Sequence, residues 1–427
     1  MENYVNWFRT AAPYINAHKG KTVVLAFGGD AITDERFAAI VHDIAILSTL
    51  GLKLVLVHGA GKAMDATLPD PGISEGAARG RRAVSPSDLE RLTGHAGLLR
   101  ARVEALLSMG IANSPMHGAR IRVCGGNFVI AQPLGVHGGT DFGHAGRVRR
   151  IDREGMAAEL GSGNIVLLSP LGYSTTGEIF YLGRDEVAVA AATTLGADKL
   201  VFLEDTLLTD ASGAVQRDLP LRLAQMLAAE SPSPVLDAAI VACQGGVERC
   251  YVLDYRHDGA LLCELYTRDG IGTMVNRDSY ESIRVAGIED VGGIMELIEP
   301  LERDGTLVRR SRERLELEID CFSVVERDGA IIACAALYAD MPNRSGELAC
   351  VATDPGYRRS GRANRLLEHI ENRARETGLD RLFVLTTRTA HWFVERGFRP
   401  TELADLPGQR RELYNYQRNS QVFIKDI

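Results

Sequence analysis

The chain's 427 residues exceed what one ordinary hydrophobic core holds, so roughly two or three domains are expected. Its 48 Lys and Arg against 56 Asp and Glu leave a net charge of −8, which removes any general electrostatic reason to expect nucleic acid or an anionic membrane as a partner. Hydrophobic residues make up 45%, as in ordinary globular proteins, and no apolar run reaches membrane-spanning length.

Residues 2–17 place Tyr4, Val5, Phe8, Ala12 and Ile15 near one face of a short helix broken by Pro13, whose exposed aromatics should dock on this chain or a neighbouring subunit. The segment lacks the basic start, apolar core and cleavage site of a signal peptide. The seven cysteines are odd in number and show no C-x-x-C spacing, so reduced, buried thiols in a cytoplasmic protein are expected.

Thr22–Phe27 is a continuous apolar strand followed by Gly28-Gly29. Phe37, Ile40, Val41, Ile44 and Leu47 then recur at helical spacing until Gly51, and Leu52–Val57 is a second buried strand ending in His58-Gly59-Ala60-Gly61-Lys62. Two such strands joined by a helix form a parallel βαβ unit. A long helix over Asp88–Leu107 follows, then a β-hairpin over Ala119–Pro133 centred on Gly125-Gly126. Strands and helices alternate onward, with helices at Arg184–Leu195, Val235–Cys243 and Gly259–Tyr266 and strands at Asn164–Ser169, Leu200–Leu203 and Arg249–Leu253. This is one α/β domain with a largely parallel sheet, which binds ligands in the loops after its strands.

The polar residues 276–283 mark a boundary, dividing the chain into an N-terminal arm (1–20), an α/β domain (21–278) and an α+β domain (283–427). In the last, a strand Ile283–Ala286 and helices Val291–Leu301 and Ser311–Ile319 precede two strands joined through Asp328-Gly329, a tight-hairpin signal. The apolar run Leu348–Ala352 then leads through Thr353–Asn364 into a helix with Leu366, Leu367 and Ile370 on one face. A strand feeding a glycine-containing helix start offers unpaired N–H groups and a positive dipole end, ringed here by Arg358, Arg359 and Arg362. Residue chemistry alone leaves two readings open, a phosphate site or a packed helix cap.

The motif Arg358-Arg359-Ser360-Gly361-Arg362-Ala363, with Gly397-Phe398 closing a later helix, resembles the acetyl-CoA signature of the GNAT acetyltransferase superfamily. The resemblance implies that these six residues hold the cofactor diphosphate. It also implies that the strand containing Cys350 and Val351 splays from its neighbour to hold the pantetheine arm. The first half resembles the amino-acid kinase superfamily through Phe27-Gly28-Gly29, Val57-His58-Gly59-Ala60-Gly61 and Gly270-Ile271-Gly272-Thr273. The join of the two, with Val308-Arg309-Arg310-Ser311-Arg312-Glu313, Leu385-Thr386-Thr387-Arg388 and Tyr414-Asn415-Tyr416-Gln417-Arg418, is similar to the family of bacterial N-acetylglutamate synthases.

That resemblance implies acetyl transfer from acetyl-CoA to the α-amine of L-glutamate, the first step of arginine biosynthesis, without a metal. Glu347 would be the base and Thr386 a thiol or water partner, since Phe393 stands where many GNAT enzymes have a Tyr. Arg309, Arg418 and Leu307 would bind glutamate. Feedback by L-arginine would act through Tyr14, Lys199, Tyr251, Glu264, Gly270 and Gly272, with Tyr251 where the arginine-inhibited kinases usually have His. A homo-oligomer, a hexamer by resemblance, is implied. Two alternatives remain: an acylglutamate kinase, disfavoured because Ala26 replaces the kinases' Lys, and a non-catalytic sensor of arginine and acetyl-CoA.

Overall fold

The computed structural model describes residues 2–72, 80–110, 116–209, 215–277, 281–327, 329–358, 361–412 and 420–427. The chain divides into two compact units, Met1–Asp278 and Ser279–Ile427.

The first unit is built on eight strands in the order Asp218–Pro220, Thr273–Asn276, Arg249–Asp254, Lys199–Glu204, Thr22–Phe27, Lys53–His58, Ile165–Leu168 and Val123–Cys124. All neighbours are parallel except Arg249–Asp254 and Thr273–Asn276, which run antiparallel. The continuous apolar runs are buried on both faces, as a helix-covered parallel sheet requires. Helix starts follow local chemistry: Ser85 and Asp88 form a reciprocal capping box, and Pro86 begins the Pro86–Leu107 helix.

Two expectations change. Residues 119–133 are not a hairpin: Val123–Cys124 joins the main sheet, whereas Val129–Pro133 pairs with Gly146–Ile151 in a separate four-stranded sheet. A Gly-Gly pair between apolar runs signals a turn but does not name the partner strand. The first helix, Glu2–His18, runs through Pro13 instead of breaking there. Pro13 and Arg9, whose carbonyl loses its i+4 donor, are both exposed. Trp7 and Phe8 are exposed.

The second unit is a seven-stranded sheet in the order Glu281–Val285, Phe322–Arg327, Ala330–Asp340, Ser345–Thr353, Arg381–Thr386, Gln421–Asp426, Arg399–Thr401. Every pair is antiparallel except Ser345–Thr353 with Arg381–Thr386. The helix Arg362–Glu376 covers one face through Leu366, Leu367 and Ile370. The helix Val291–Arg303 covers the other through Val291, Ile294 and Ile298. Asp328 of the expected hairpin turn lies outside the described residues.

One acid sits in the core of the first unit. Asp43, on the helix Phe37–Thr49, is pushed up to about 7 by burial and by the nearby Asp258. Because the folded-state value is raised, its stabilising contribution is full below the unfolded value and is lost as pH rises through about 7. Asp43→Asn should therefore raise the melting temperature at pH 8 by several degrees and change it little at pH 4, as read by thermal denaturation at the two pH values.

Candidate active site

The site arises where two strands part. Ser345–Thr353 pairs with Ala330–Asp340 along its length, but with Arg381–Thr386 only from Ser345 to Glu347. Beyond the Glu347 and Phe383 pair the parallel ladder stops, leaving backbone groups of residues 348–353 on that side open. A register shift against Cys334–Ala336 coincides with Cys350, whose φ of 52° is the left-handed region an L-residue rarely adopts. The strand thus kinks as it splays.

After the strand, the Asp354 carboxylate accepts the Gly356 N–H at 2.8 Å, and Gly361 caps the next helix with φ 77°. A Cβ at Gly361 would meet open space, so conformation alone demands glycine. The Gly361 carbonyl receives Asn364 and Arg365 N–H at 3.1 Å each, so the amides of Gly361, Arg362 and Ala363 precede the first intrahelical bonds and face outward as an anion cradle.

A cavity of about 710 Å³ runs from Val351–Thr353 past Gly361–Asn364 to Trp392, Phe393 and Arg396. Val351, Arg358, Gly361, Arg362 and Ala363 line it; Arg359 and Ser360 lie outside the described residues. The Arg362 guanidinium is turned inward onto Glu281. Two further cations line the wall: Arg388, bonded to Asp304 at 3.2 Å, and Arg396, 4.1 Å from the Trp392 ring centroid and bonded to Asn364 at 2.6 Å. The four-residue helical spacing of Trp392 and Arg396 is the sequence signal for the second. Phe393 is buried, edge-on to Trp392 and Phe398.

A second cavity of about 530 Å³ shares Thr306 with the first and reaches Leu307, Arg310, Tyr338, Glu347, Cys350 and Arg410. Glu347 accepts from Arg410 Nε at 2.6 Å and Nη2 at 2.8 Å. Tyr338 donates to Glu318 at 2.6 Å, and burial together with that carboxylate pushes the phenol up. Burial works against the Arg310 charge, but Cys350, Tyr338 and Glu318 beside it outweigh burial and raise it.

Arg309 is exposed and does not line this cavity, whereas Arg310 does. The Arg310 N–H is anchored to Glu302 at 2.9 Å and Ser311 caps the next helix, which together decide which of two adjacent arginines points inward. Thr386 is buried, accepting the Thr389 N–H at 3.1 Å and bonded to its hydroxyl at 2.8 Å; Thr389 lines the first cavity. Arg418 lies outside the described residues. Among the described residues no group of three or more His, Cys, Asp or Glu side chains could hold a metal ion.

In the first unit, two glycine loops meet at the ends of Thr22–Phe27 and Lys53–His58. A Cβ at Gly29 would stand 2.4 Å from the Ala60 carbonyl oxygen, so only glycine permits the approach. Ala26 is fully buried and offers no charge. Arg184 lies beside these loops, its Nη1 3.7 Å from the Cβ position of Gly28, and its guanidinium is bound to Asp185 at 2.6 Å and to Glu204 at 2.5 Å. Burial opposes the Arg184 charge, but the two carboxylates outweigh it.

Farther along the same sheet, Lys199 is buried and donates to the Tyr251 hydroxyl at 2.9 Å. The Glu264 carboxylate accepts Ile271 and Gly272 N–H at 2.7 and 2.9 Å, and a Cβ on Gly270 would meet it at 2.5 Å. Burial pushes the Glu264 carboxyl up, against those N–H bonds and the Lys199 charge. The first helix, carrying Tyr14, packs on the helix that bears Glu264, with His18 edge-on to Tyr266 at 5.7 Å. The structure therefore brings Lys199, Tyr251, Glu264, Gly270 and Gly272 into one neighbourhood.

A kinase-like α/β unit without the kinases' cation, followed by a splayed-strand acetyltransferase unit, defines a two-domain acyltransferase. Residues 21–254 match the amino acid kinase family and residues 293–398 the acetyltransferase (GNAT) family. Amino-acid acetyltransferases of Pseudomonas putida (strain GB-1) and Pseudomonas aeruginosa (strain LESB58) are 53% and 52% identical to this chain, over 100% of each pair. N-acetylglutamate synthase from Neisseria gonorrhoeae, complexed with coenzyme A and L-arginine, is similar in structure, with 37% identity, 99% coverage of both chains and a TM-score of 0.86. The chain belongs to the amino-acid acetyltransferase family.

Removing Arg184 would leave Asp185 and Glu204 half-buried without their shared cation. Arg184→Met should destabilise the first unit by roughly 3 kcal/mol, measured by urea denaturation.

Proposed function

We propose that this protein is an N-acetylglutamate synthase, transferring acetyl from acetyl-CoA to the α-amine of L-glutamate and inhibited by L-arginine. The observation that carries this is the parting of strands at Glu347: an anion cradle and cofactor-sized cavity lie on one side of residues 347–353 and a polar acceptor cavity on the other. The similar Neisseria gonorrhoeae enzyme is complexed with coenzyme A and L-arginine, and in a second structure (38% identity, 99% coverage, TM-score 0.62) with coenzyme A and N-acetyl-glutamate.

Acetyl-CoA lies with its diphosphate on the amides of residues 361–363 and its pantetheine along the open edge at Cys350 and Val351. Arg358, Arg388 and Arg396 add charge at the rim, and Arg359 and Ser360 belong to the same loop. The thioester then sits at the kink, beside the acceptor cavity. The glutamate ammonium loses one proton to Glu347, directly or through water. Nitrogen attacks the carbonyl carbon, the C–S bond breaks, and the second nitrogen proton becomes available to the departing thiolate. Arg410 occupies one lone pair on each Glu347 oxygen and leaves the others to take the proton. Thr386 acts with Thr389 on the thiol or a water.

Leu307 forms the floor of the acceptor cavity. We assign one glutamate carboxylate to Arg310 instead of the exposed Arg309, and the other to Arg418, since planar guanidinium suits paired carboxylate recognition. L-Arginine binds at Lys199, Tyr251, Glu264, Gly270 and Gly272, with Tyr14 from the first helix; the buried Glu264 carboxylate matches a guanidinium ligand. The exposed Trp7 and Phe8 of that helix support assembly as a homo-oligomer, with a hexamer implied by the family resemblance. Ala26 and the Arg184 ion pairs disfavour phosphoryl transfer in the first unit.

A CoA-release assay tests the reading: release should require both acetyl-CoA and glutamate, and millimolar L-arginine should lower the initial rate. No release with glutamate rules out the synthase, and an unchanged rate with arginine rules out the effector site. Glu347→Gln should lower kcat by about 10²–10⁴-fold. Arg310→Lys should raise the KM for glutamate by about tenfold or more, whereas Arg309→Lys should leave it near the wild-type value.

A further inference from the structure

Three arginines converge on one buried carboxylate at the start of the acetyltransferase unit. Glu281 opens the edge strand Glu281–Val285 and is 5% exposed. Its Oε1 accepts from Arg362 Nε at 2.6 Å and from Arg327 Nη1 at 3.3 Å; its Oε2 accepts from Arg365 Nη1 at 3.3 Å. Arg362 Nη2 also reaches Oε1. The Tyr357 ring lies alongside, its centroid 5.1 Å from the Arg362 and 5.6 Å from the Arg327 guanidinium carbon, and the Tyr357 carbonyl accepts from Arg362 Nη1 at 3.5 Å.

The placement matters because of what Arg362 begins. It is the first residue of the Arg362–Glu376 helix and directly follows Gly361, so its amide is one of the three that form the cradle. A guanidinium held through Nε and both Nη atoms is fixed in its plane, and the peptide that carries it loses freedom with it. Tyr357 stands at the other end of the same turn, so both ends of the cradle loop are tied to Glu281 through one side chain. The arrangement also keeps the Arg362 charge, which the sequence motif offers to the diphosphate, away from it.

We propose that Glu281 is a positioning residue for acetyl-CoA: by gripping Arg362 it fixes the amides of residues 361–363 in the geometry that receives the diphosphate, and it makes Arg362 an anchor and not a ligand. The inference rests on the acetyl-CoA reading of the cavity. Buried ion pairs are weak evidence of stability, so cofactor affinity is the quantity that discriminates.

Glu281→Gln keeps the shape of the side chain and removes its charge. Titration calorimetry with CoA should show Kd rising about tenfold, and the KM for acetyl-CoA should rise with it. The kcat at saturating acetyl-CoA and the KM for glutamate should stay within about twofold. Arg362→Lys should weaken CoA in the same way, and the double variant should bind no more weakly than the weaker single one, because both act through one grip. Unchanged or tighter CoA binding by E281Q overturns the proposal, as do additive losses in the double variant, which would mark Arg362 as an independent diphosphate ligand. Should E281Q fail to fold, E281D replaces it in the same cycle under the same criteria. Wild-type protein that binds no CoA would overturn the acetyl-CoA reading itself, whereas wild-type binding with unaltered E281Q affinity overturns only the positioning role.

Discussion

The second unit depends on an interruption of hydrogen bonding. A parallel ladder that begins at Ser345 and Arg381 ends after Glu347 and Phe383, although both strands continue. Buried backbone N–H and C=O groups are costly to leave unpaired. Here the open edge is tolerable because it lines a cavity and meets water or ligand. The left-handed Cys350 widens the gap, and the antiparallel partner Ala330–Asp340 holds the splayed strand from its other side. Both cavities are consequences of that gap, and the strand residues facing them are neighbours in sequence: Glu347 and Cys350 toward one, Val351 to Thr353 toward the other.

Around the two cavities several arginines are held by carboxylates. Arg410 is paired with Glu347 and Arg362 with Glu281. Arg310 on the wall of the second cavity keeps its charge despite burial, because Cys350, Tyr338 and Glu318 beside it outweigh burial. The same device has another outcome in the first unit, where Arg184 is bound by Asp185 and Glu204 beside the glycine loops. A cation consumed by two carboxylates cannot also neutralise a transferring phosphoryl group. The kinase-like sheet thus retains close glycine contacts beside Ala26 and a doubly paired Arg184.

Most of the architecture was legible in the amino-acid sequence because its signals are local. Continuous apolar runs, 3.6-residue periodicity, the Ser85-Pro86 start and the glycine turns place strands and helices within a few residues of those observed. The strand before the cradle and Gly361 at the helix start are of this kind. Local signals failed where the partner was distant. Gly125-Gly126 suggested a hairpin, yet its two flanks join different sheets, and the strand Gln421–Asp426 and the edge strand Arg399–Thr401 carry too few periodic residues to announce themselves.

Side-chain direction is where sequence and tertiary structure divide. Residue chemistry alone left the Thr353–Asn364 turn open between a phosphate site and a packed helix cap, and the family resemblance, not spacing, singled out Glu347 and the arginine-rich loop. Which of Arg309 and Arg310 lines the second cavity, whether Arg362 meets solvent or Glu281, and how Glu347 is held by Arg410 depend on groups 8 to 81 residues away in the chain. Those distances close only when the sheets assemble, and the free energy of each contact then includes the burial of its partner, which no local stretch of sequence contains.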